Sequence, residues 1–159
     1  MAKKKNLEWL NCSEEQLSIQ IKAWLGQTKL DNSILFLEGE MGSGKSTLVR
    51  LLLQNLAPRA RSQGSPTFPL IQEYETESGL PFYHLDLYRL KTESELVDSG
   101  LETQIEEEGA IVCVEWASLF ESFFAYWLDP GKRRRKQVFL IRIIEGTLPL
   151  TRSYRVHSI

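Results

Sequence analysis

The segment Gly39-Glu40-Met41-Gly42-Ser43-Gly44-Lys45-Ser46 constrains what this chain can fold into more than any other feature of it. Its pattern, G-x-x-x-x-G-K-S, works only between a strand that delivers the chain to a tight turn and a helix whose N-terminus leaves that turn. Both flanks read that way. Ile34-Leu35-Phe36-Leu37 is a continuous apolar run of strand length, as in a strand buried on both faces of a parallel sheet, and Ser46 to Leu56 reads as a helix. A phosphate chain is wrapped closely by backbone N–H groups, and glycines allow an approach that a Cβ would block. The helix N-terminus adds donors and a positive partial charge. Gly39, Glu40, Met41, Gly42, Ser43, Gly44, Lys45, Ser46 and Thr47 are therefore the expected nucleoside triphosphate cradle, with Lys45 on the β- and γ-phosphates and the Ser46 hydroxyl on Mg²⁺.

Hydrolysis needs a carboxylate at the end of a neighbouring strand, to hold the metal or to position the attacking water. Two candidates fit. Phe82-Tyr83-His84-Leu85 ends in Asp86, and Ile111-Val112-Cys113-Val114 ends in Glu115. The spacing alone does not divide the roles between them. Trp116 follows Glu115 directly, so its indole either covers a bound nucleotide or packs in the core. No N-K-x-D segment is present, which leaves a guanine-specific pocket unsupported. His84 and His157 have no partner at catalytic or metal spacing, and His84 reads as a packed strand residue. Lys132-Arg133-Arg134-Arg135-Lys136 is the dense charge run of the chain, either a solvated turn or a contact to phosphate or RNA.

The remaining segments set the architecture. Ser13-Glu14-Glu15-Gln16 has the S-x-x-Q form of a capping box, and Leu17, Ile21, Trp24 and Leu25 follow at helical spacing, predicting a helix over 14–26. Residues 57–67 hold Pro, Gly, Ser and Arg without an apolar period and read as a mobile loop. Strands are expected at 68–75 and 81–86, joined as a hairpin across Glu77 to Leu80. A short polar helix follows at 93–97, a strand at 111–114, a helix at 119–128, a strand at 137–144 and an edge strand at 152–157. Alternating strands and helices predict an α/β fold, a P-loop NTPase-like three-layer sandwich whose mixed central sheet includes an antiparallel hairpin.

Length and charge bound the rest. With 159 residues a single domain is expected over 1–159, with residues 1–6 flexible and C-terminal strands over about 137–157. The net charge of −2 argues against a surface built throughout for nucleic acid. The two cysteines, Cys12 and Cys113, form neither a metal knuckle nor a disulfide framework. No apolar run is long enough to span a bilayer, and Lys3 to Lys5 lack a following signal-peptide core, so the expected location is the cytoplasm.

Four segments in order, the glycine-rich loop, Ser65-Pro66-Thr67-Phe68, His84-Leu85-Asp86-Leu87-Tyr88-Arg89-Leu90 and Val114-Glu115-Trp116, resemble the TsaE (YjeE) family. Those proteins are bacterial ATPases of tRNA threonylcarbamoyladenosine biosynthesis. The resemblance runs from about residue 13 to 116. It implies ATP and Mg²⁺ as cofactors, Lys45 as the phosphate lysine, and Ser46 and Glu115 as metal ligands, with serine at a position where the family usually has threonine. It also implies Asp86 as the acid required for hydrolysis, Ser65 to Thr67 on a loop facing the γ-phosphate, and Trp116 near the nucleotide. The implied partners are TsaD and TsaB, which modify the adenosine beside the anticodon, so that tRNA is met through the complex and ATP turnover resets it. The segment after residue 116 matches nothing in that pattern. Two other readings stay open on the residues: a compact small-molecule kinase with Lys132 to Lys136 as its lid, and a module that uses ATP only to fix its shape.

Overall fold

The glycine-rich loop hangs from the middle of a seven-stranded sheet, in the order β1-β7-β6-β2-β5-β4-β3. The computed structural model describes residues 6–60, 70–132 and 135–159. Its elements are β1 (Leu7–Cys12), α1 (Glu14–Leu25), β2 (Ser33–Glu38), α2 (Lys45–Leu56), β3 (Ile71–Glu75), β4 (Pro81–Asp86), α3 (Glu93–Asp98), α4 (Glu102–Glu106) and β5 (Ile111–Glu115). A 3-10 turn (Ala117–Phe120) then leads into α5 (Glu121–Leu128), β6 (Gln137–Glu145) and β7 (Arg152–Ser158).

Strands β6, β2, β5 and β4 run parallel, whereas β3, β7 and β1 pair antiparallel with their neighbours. The register is what positions the site. Leu37 lies opposite Glu115, and Glu115 opposite Asp86, so the loop and both acids emerge at one level of the sheet. Ligands of open α/β sheets sit at that carboxyl edge.

The period-2 alternation of each strand supplies two cores. Leu35, Leu37, Phe82, Ile111, Cys113, Phe139 and Ile141 pack under Leu17, Ile21 and Trp24 of α1 and Leu48, Val49, Leu51 and Leu52 of α2. Ile34, Phe36, Tyr83, Leu85, Val112 and Val114 pack on the other face, against Leu96 of α3, Ile105 of α4, and Phe124 and Trp127 of α5. Each fully buried Leu, Ile or Phe stabilises by about 1.5–3 kcal/mol. The result is the expected mixed sheet between helical layers.

The second layer is incomplete. Over β6, β7 and β1 that face carries the ion pairs Arg142–Glu38 at 2.8 Å and Arg155–Glu8 at 2.9 Å, with Leu10 and Ile144 exposed beside them.

One expectation is corrected, and two elements, β1 and α4, were not foreseen. Residues 152–157 are not an edge strand, because β1 pairs outside β7. Strand β1 itself escaped the sequence because its register shifts between Trp9 and Cys12, where Asn11 has φ 49° and the in–out alternation fails. Helix α4 is five residues long with no side-chain cap, too short to show a period. The capping box of α1 is present in both directions, with Gln16 N–H to Ser13 Oγ at 3.2 Å and Ser13 N–H to Gln16 Oε1 at 2.8 Å. The hairpin of β3 and β4 is antiparallel as expected. Residues 1–5, and the predicted strand residues Phe68 and Pro69, lie outside the described residues, as does most of the loop expected over 57–67.

Candidate functional site

Helix α2 begins at Lys45 without a side-chain cap and without an acidic residue in its first turn, unlike α1, which has both. Its first backbone donors are therefore left for whatever occupies the turn. Gly44 precedes it at φ +102°, a conformation that a side chain would strain. Gly39 is needed for a different reason: a Cβ there would lie 2.4 Å from Ser43 Oγ and 2.9 Å from the Ile143 carbonyl. Ser43 Oγ is itself buried with no hydrogen-bond partner among the described residues.

A cleft of about 360 Å³ opens beside this turn. Met41, Gly42, Gly44, Lys45, Ser46 and Thr47 form one wall, and Asp86, Tyr88, Glu115 and Trp116 the other. A larger cavity of about 580 Å³ lies on the far side of the turn, where Gly39, Glu40 and Ser43 meet the end of β6, and holds neither Lys45 nor the two strand-end acids. Opposite charges converge in the smaller cleft, with Lys45 facing Asp86 and Glu115.

Lys45 is 5% exposed. Its Nζ donates to the Gly39 carbonyl at 2.7 Å and the Glu40 carbonyl at 2.9 Å, and lies 4.0 Å from the centroid of the Trp116 ring. Burial pulls its pKa below the ordinary lysine value, opposed by the charges of Glu115 and Asp86. Glu40 thus serves this arrangement through its carbonyl.

Glu115 is a carboxylate only 3% exposed. Its Oε1 accepts from Ser46 Oγ at 3.0 Å and sits 2.7 Å from His84 Nε2. Asp86, beside it in the sheet, accepts the Tyr88 N–H at 3.2 Å. A hydroxyl and two carboxylates are hard oxygen donors, the set that suits Mg²⁺. Among the described residues no group of three or more His, Cys, Asp or Glu forms a closed metal cage.

Trp116 adopts φ 66°, a left-handed backbone that an aromatic residue rarely takes. The turn aims its indole at the cleft, against Tyr88 at 5.0 Å between centroids. Of the two expected positions, core or cleft, it holds the wall of the cleft while packing partly on the core.

The structure thus brings Lys45, Ser46, Thr47, Asp86, Glu115 and Trp116 together. Thr67 and Ser65 lie outside the described residues. Sequence reasoning missed two members. Tyr88 follows Asp86 by two residues, a proximity that was a usable signal. His84 was read as lacking a partner, and that is corrected: parallel register places it diagonal to Glu115, a contact no linear spacing reveals. The basic run is corrected in part. Lys136 is buried, donating to the carbonyls of Glu107 at 2.6 Å and Ala110 at 3.0 Å, and so is neither solvated nor free for RNA. Arg133 and Arg134 lie outside the described residues. Cys12 and Cys113 are buried and unpaired. No helix among the described residues is long and apolar enough to cross a membrane.

Comparison with known proteins gives one consistent result. The family model described as threonylcarbamoyl adenosine biosynthesis protein TsaE matches residues 12–140. A protein of Nostoc named tRNA threonylcarbamoyladenosine biosynthesis protein TsaE is 39% identical over 110 residues, 66% of this chain and 65% of that one. A protein of Bacillus subtilis with the same name is 37% identical over 117 residues, 74% of this chain and 70% of that one. The chain therefore spans about two thirds of the length of the curated relatives it matches. Among solved structures, YdiB of Bacillus subtilis superposes with a TM-score of 0.62 over 100% of this chain and 89% of that one at 23% identity, a likeness of fold.

Proposed function

The chain belongs to the TsaE family of threonylcarbamoyl adenosine biosynthesis proteins, and from that premise we propose that it is the ATP-hydrolysing component of the machinery that modifies the adenosine next to the anticodon. The observation that carries the reading is the convergence of Asp86 and Glu115, paired across β4 and β5, on Lys45 and Ser46 at the head of α2.

The residues divide the work as follows. The backbone donors of the turn and the uncapped start of α2 hold the phosphates. Lys45 exchanges its two carbonyl partners for phosphate oxygens and neutralises charge there. Ser46 and Glu115 would hold Mg²⁺, which would supply neutralisation of phosphate charge. Asp86 stands on the same face, free to orient a water toward the γ-phosphate. Phosphoryl transfer depends on positioning and electrostatics more than on covalent help, so a site of this kind works with few groups. Trp116 and Tyr88 wall the cleft beside these groups.

The match to the TsaE family over residues 12–140 favours a partner-linked ATPase over a small-molecule kinase. The kinase alternative also loses part of its lid, since Lys136 is tied down inside the fold. The partners on this reading are TsaD- and TsaB-type proteins, with tRNA met through their complex and ATP turnover resetting it, in the cytoplasm. Phosphate release is to be measured for the purified chain alone and with its TsaB and TsaD. The expected outcome is slow turnover alone and about tenfold or greater stimulation by the pair, in line with the gain that added charge-stabilising contacts give to phosphoryl transfer. Equal rates with and without the partners would remove the proposal.

A further inference from the structure

His84 is the titratable side chain closest to this site that the proposed chemistry leaves without a task. It lies on β4 two residues before Asp86, so both point to the sheet face covered by α2. The register sets His84 opposite Cys113, and Glu115, two residues further along β5, is its diagonal neighbour. Nε2 reaches Glu115 Oε1 at 2.7 Å, with the two side chains 13% and 3% exposed. On the other side of the ring, Nδ1 lies 3.2 Å from the side-chain amide oxygen of Gln72, on β3. Gln72 is steadied in turn by the Tyr74 hydroxyl at 3.2 Å.

A carboxylate only accepts, so the short Nε2 contact makes that nitrogen the proton-bearing one and leaves Nδ1 an acceptor. Gln72 then holds the ring with its side-chain amide turned over, one N–H donated to Nδ1 and the other to the Tyr74 hydroxyl oxygen. Both hydrogen bonds to Glu115, from His84 and from Ser46 Oγ, fall on Oε1. Oε2 has no hydrogen bond among the described residues. A buried carboxylate clamped through one oxygen is fixed in rotation and presents the other in a set direction. Ligating carboxylates are held in this way by outer partners, and losing such a partner typically costs 10–100-fold in metal affinity.

We propose that His84 is a positioning residue: its Nε2–H bond fixes the Glu115 carboxylate for the metal, and Gln72 fixes the imidazole. The inference rests on the reading that Ser46 and Glu115 hold Mg²⁺ with the nucleotide, and it adds a chain of contact from the β3–β4 hairpin to that ion.

The test is binding rather than turnover. A fluorescent ADP analogue is titrated into the full chain in EDTA, and Mg²⁺ is then titrated into the complex. His84→Phe keeps the ring and removes the donor. It is expected to raise the Mg²⁺ midpoint about 10-fold or more, while affinity in EDTA stays within about twofold. His84→Gln places an amide N–H where Nε2 stood and is expected to keep the midpoint within about threefold of the wild type. Gln72→Ala, on an edge strand outside the core, is expected to shift it in the same direction by about threefold, which keeps the idea testable if the phenylalanine variant does not fold. A wild-type midpoint in both His84→Phe and Gln72→Ala overturns the proposal. So does a His84→Gln protein as impaired as His84→Phe, since packing alone would then explain the loss. A wild-type protein whose nucleotide binding ignores Mg²⁺ overturns the metal reading itself, and this inference with it.

Discussion

Lys45 holds its charge in a nearly closed position, bracketed by two carbonyls of its own loop and the face of an indole. Burial weakens the charged form and the two acids restore it, so the ammonium is poised between partners inside the cleft. Phosphate oxygens offer a stronger partner than neutral carbonyls, because hydrogen bonds between ionised groups are roughly twice as strong. Lys45→Ala is therefore expected to weaken ATP binding by about tenfold or more, the loss of a charge-assisted bond of about 1.5–3 kcal/mol. Asp86→Asn keeps shape and hydrogen-bonding capacity at the same place. It is expected to lower turnover by about 10²–10³ with ATP affinity within about threefold. A nucleotide titration and a phosphate-release assay on the same preparations check both, and an Asp86→Asn protein with undiminished turnover would end the role assigned to that acid. Trp116 shows the same logic in the backbone. A left-handed residue of this size costs about 1–2 kcal/mol, and contacts with Tyr88 and Lys45 hold it there.

Among the elements, α1 and α2 differ at their starts in a way that separates stability from function. Ser13 and Gln16 close the N-terminus of α1 on itself, with Glu14 and Glu15 complementing its dipole. The start of α2 has neither device and faces the cleft. Ser13→Ala is expected to lower stability by about 1 kcal/mol, read as a drop in the urea midpoint at unchanged slope. The site should be unaffected, because Ser13 bonds only to its own helix. This start was legible in the chain, as were β2, α2 and the hairpin, since each is signalled by residue types close together in sequence, even though β2 pairs only with the distant β5 and β6. The pairing of β1 outside β7 was not. It depends on a bulge at Asn11, whose side-chain carbonyl accepts from Thr147 N–H at 2.8 Å across 136 residues.

At the scale of the whole molecule, the sheet joins groups that sequence keeps far apart. Tyr154 of β7 packs 6.1 Å from Trp9 of β1 between ring centroids, and burial, with smaller contributions from Cys12 and Glu14, pushes its hydroxyl up to about 12 from 10.0. The folded chain thus keeps a proton that the unfolded chain releases near pH 10. The associated stability is complete below pH 10 and is lost as pH rises toward 12. Urea midpoints across that range should fall with pH, and Tyr154→Phe should flatten part of the fall relative to the parent; parallel curves would show that Tyr154 does not contribute. Lys136 makes the same point about distance. In the sequence it closes a basic run, and in the fold it is held by carbonyls of Glu107 and Ala110. The sequence by itself determined the glycine-rich loop, the strand and helix around it, the two acids at strand ends and the family pattern, because each is a matter of local conformation or of residue type at fixed spacing. Only the tertiary structure decided that Lys45 rests on its own loop, that His84 grips Glu115, and that Trp116 faces the cleft. The first is a side-chain fold-back onto carbonyls five and six residues away, which the motif pattern does not specify. The other two are set by strand register and by the turn after β5, which bring together side chains 31 residues or more apart.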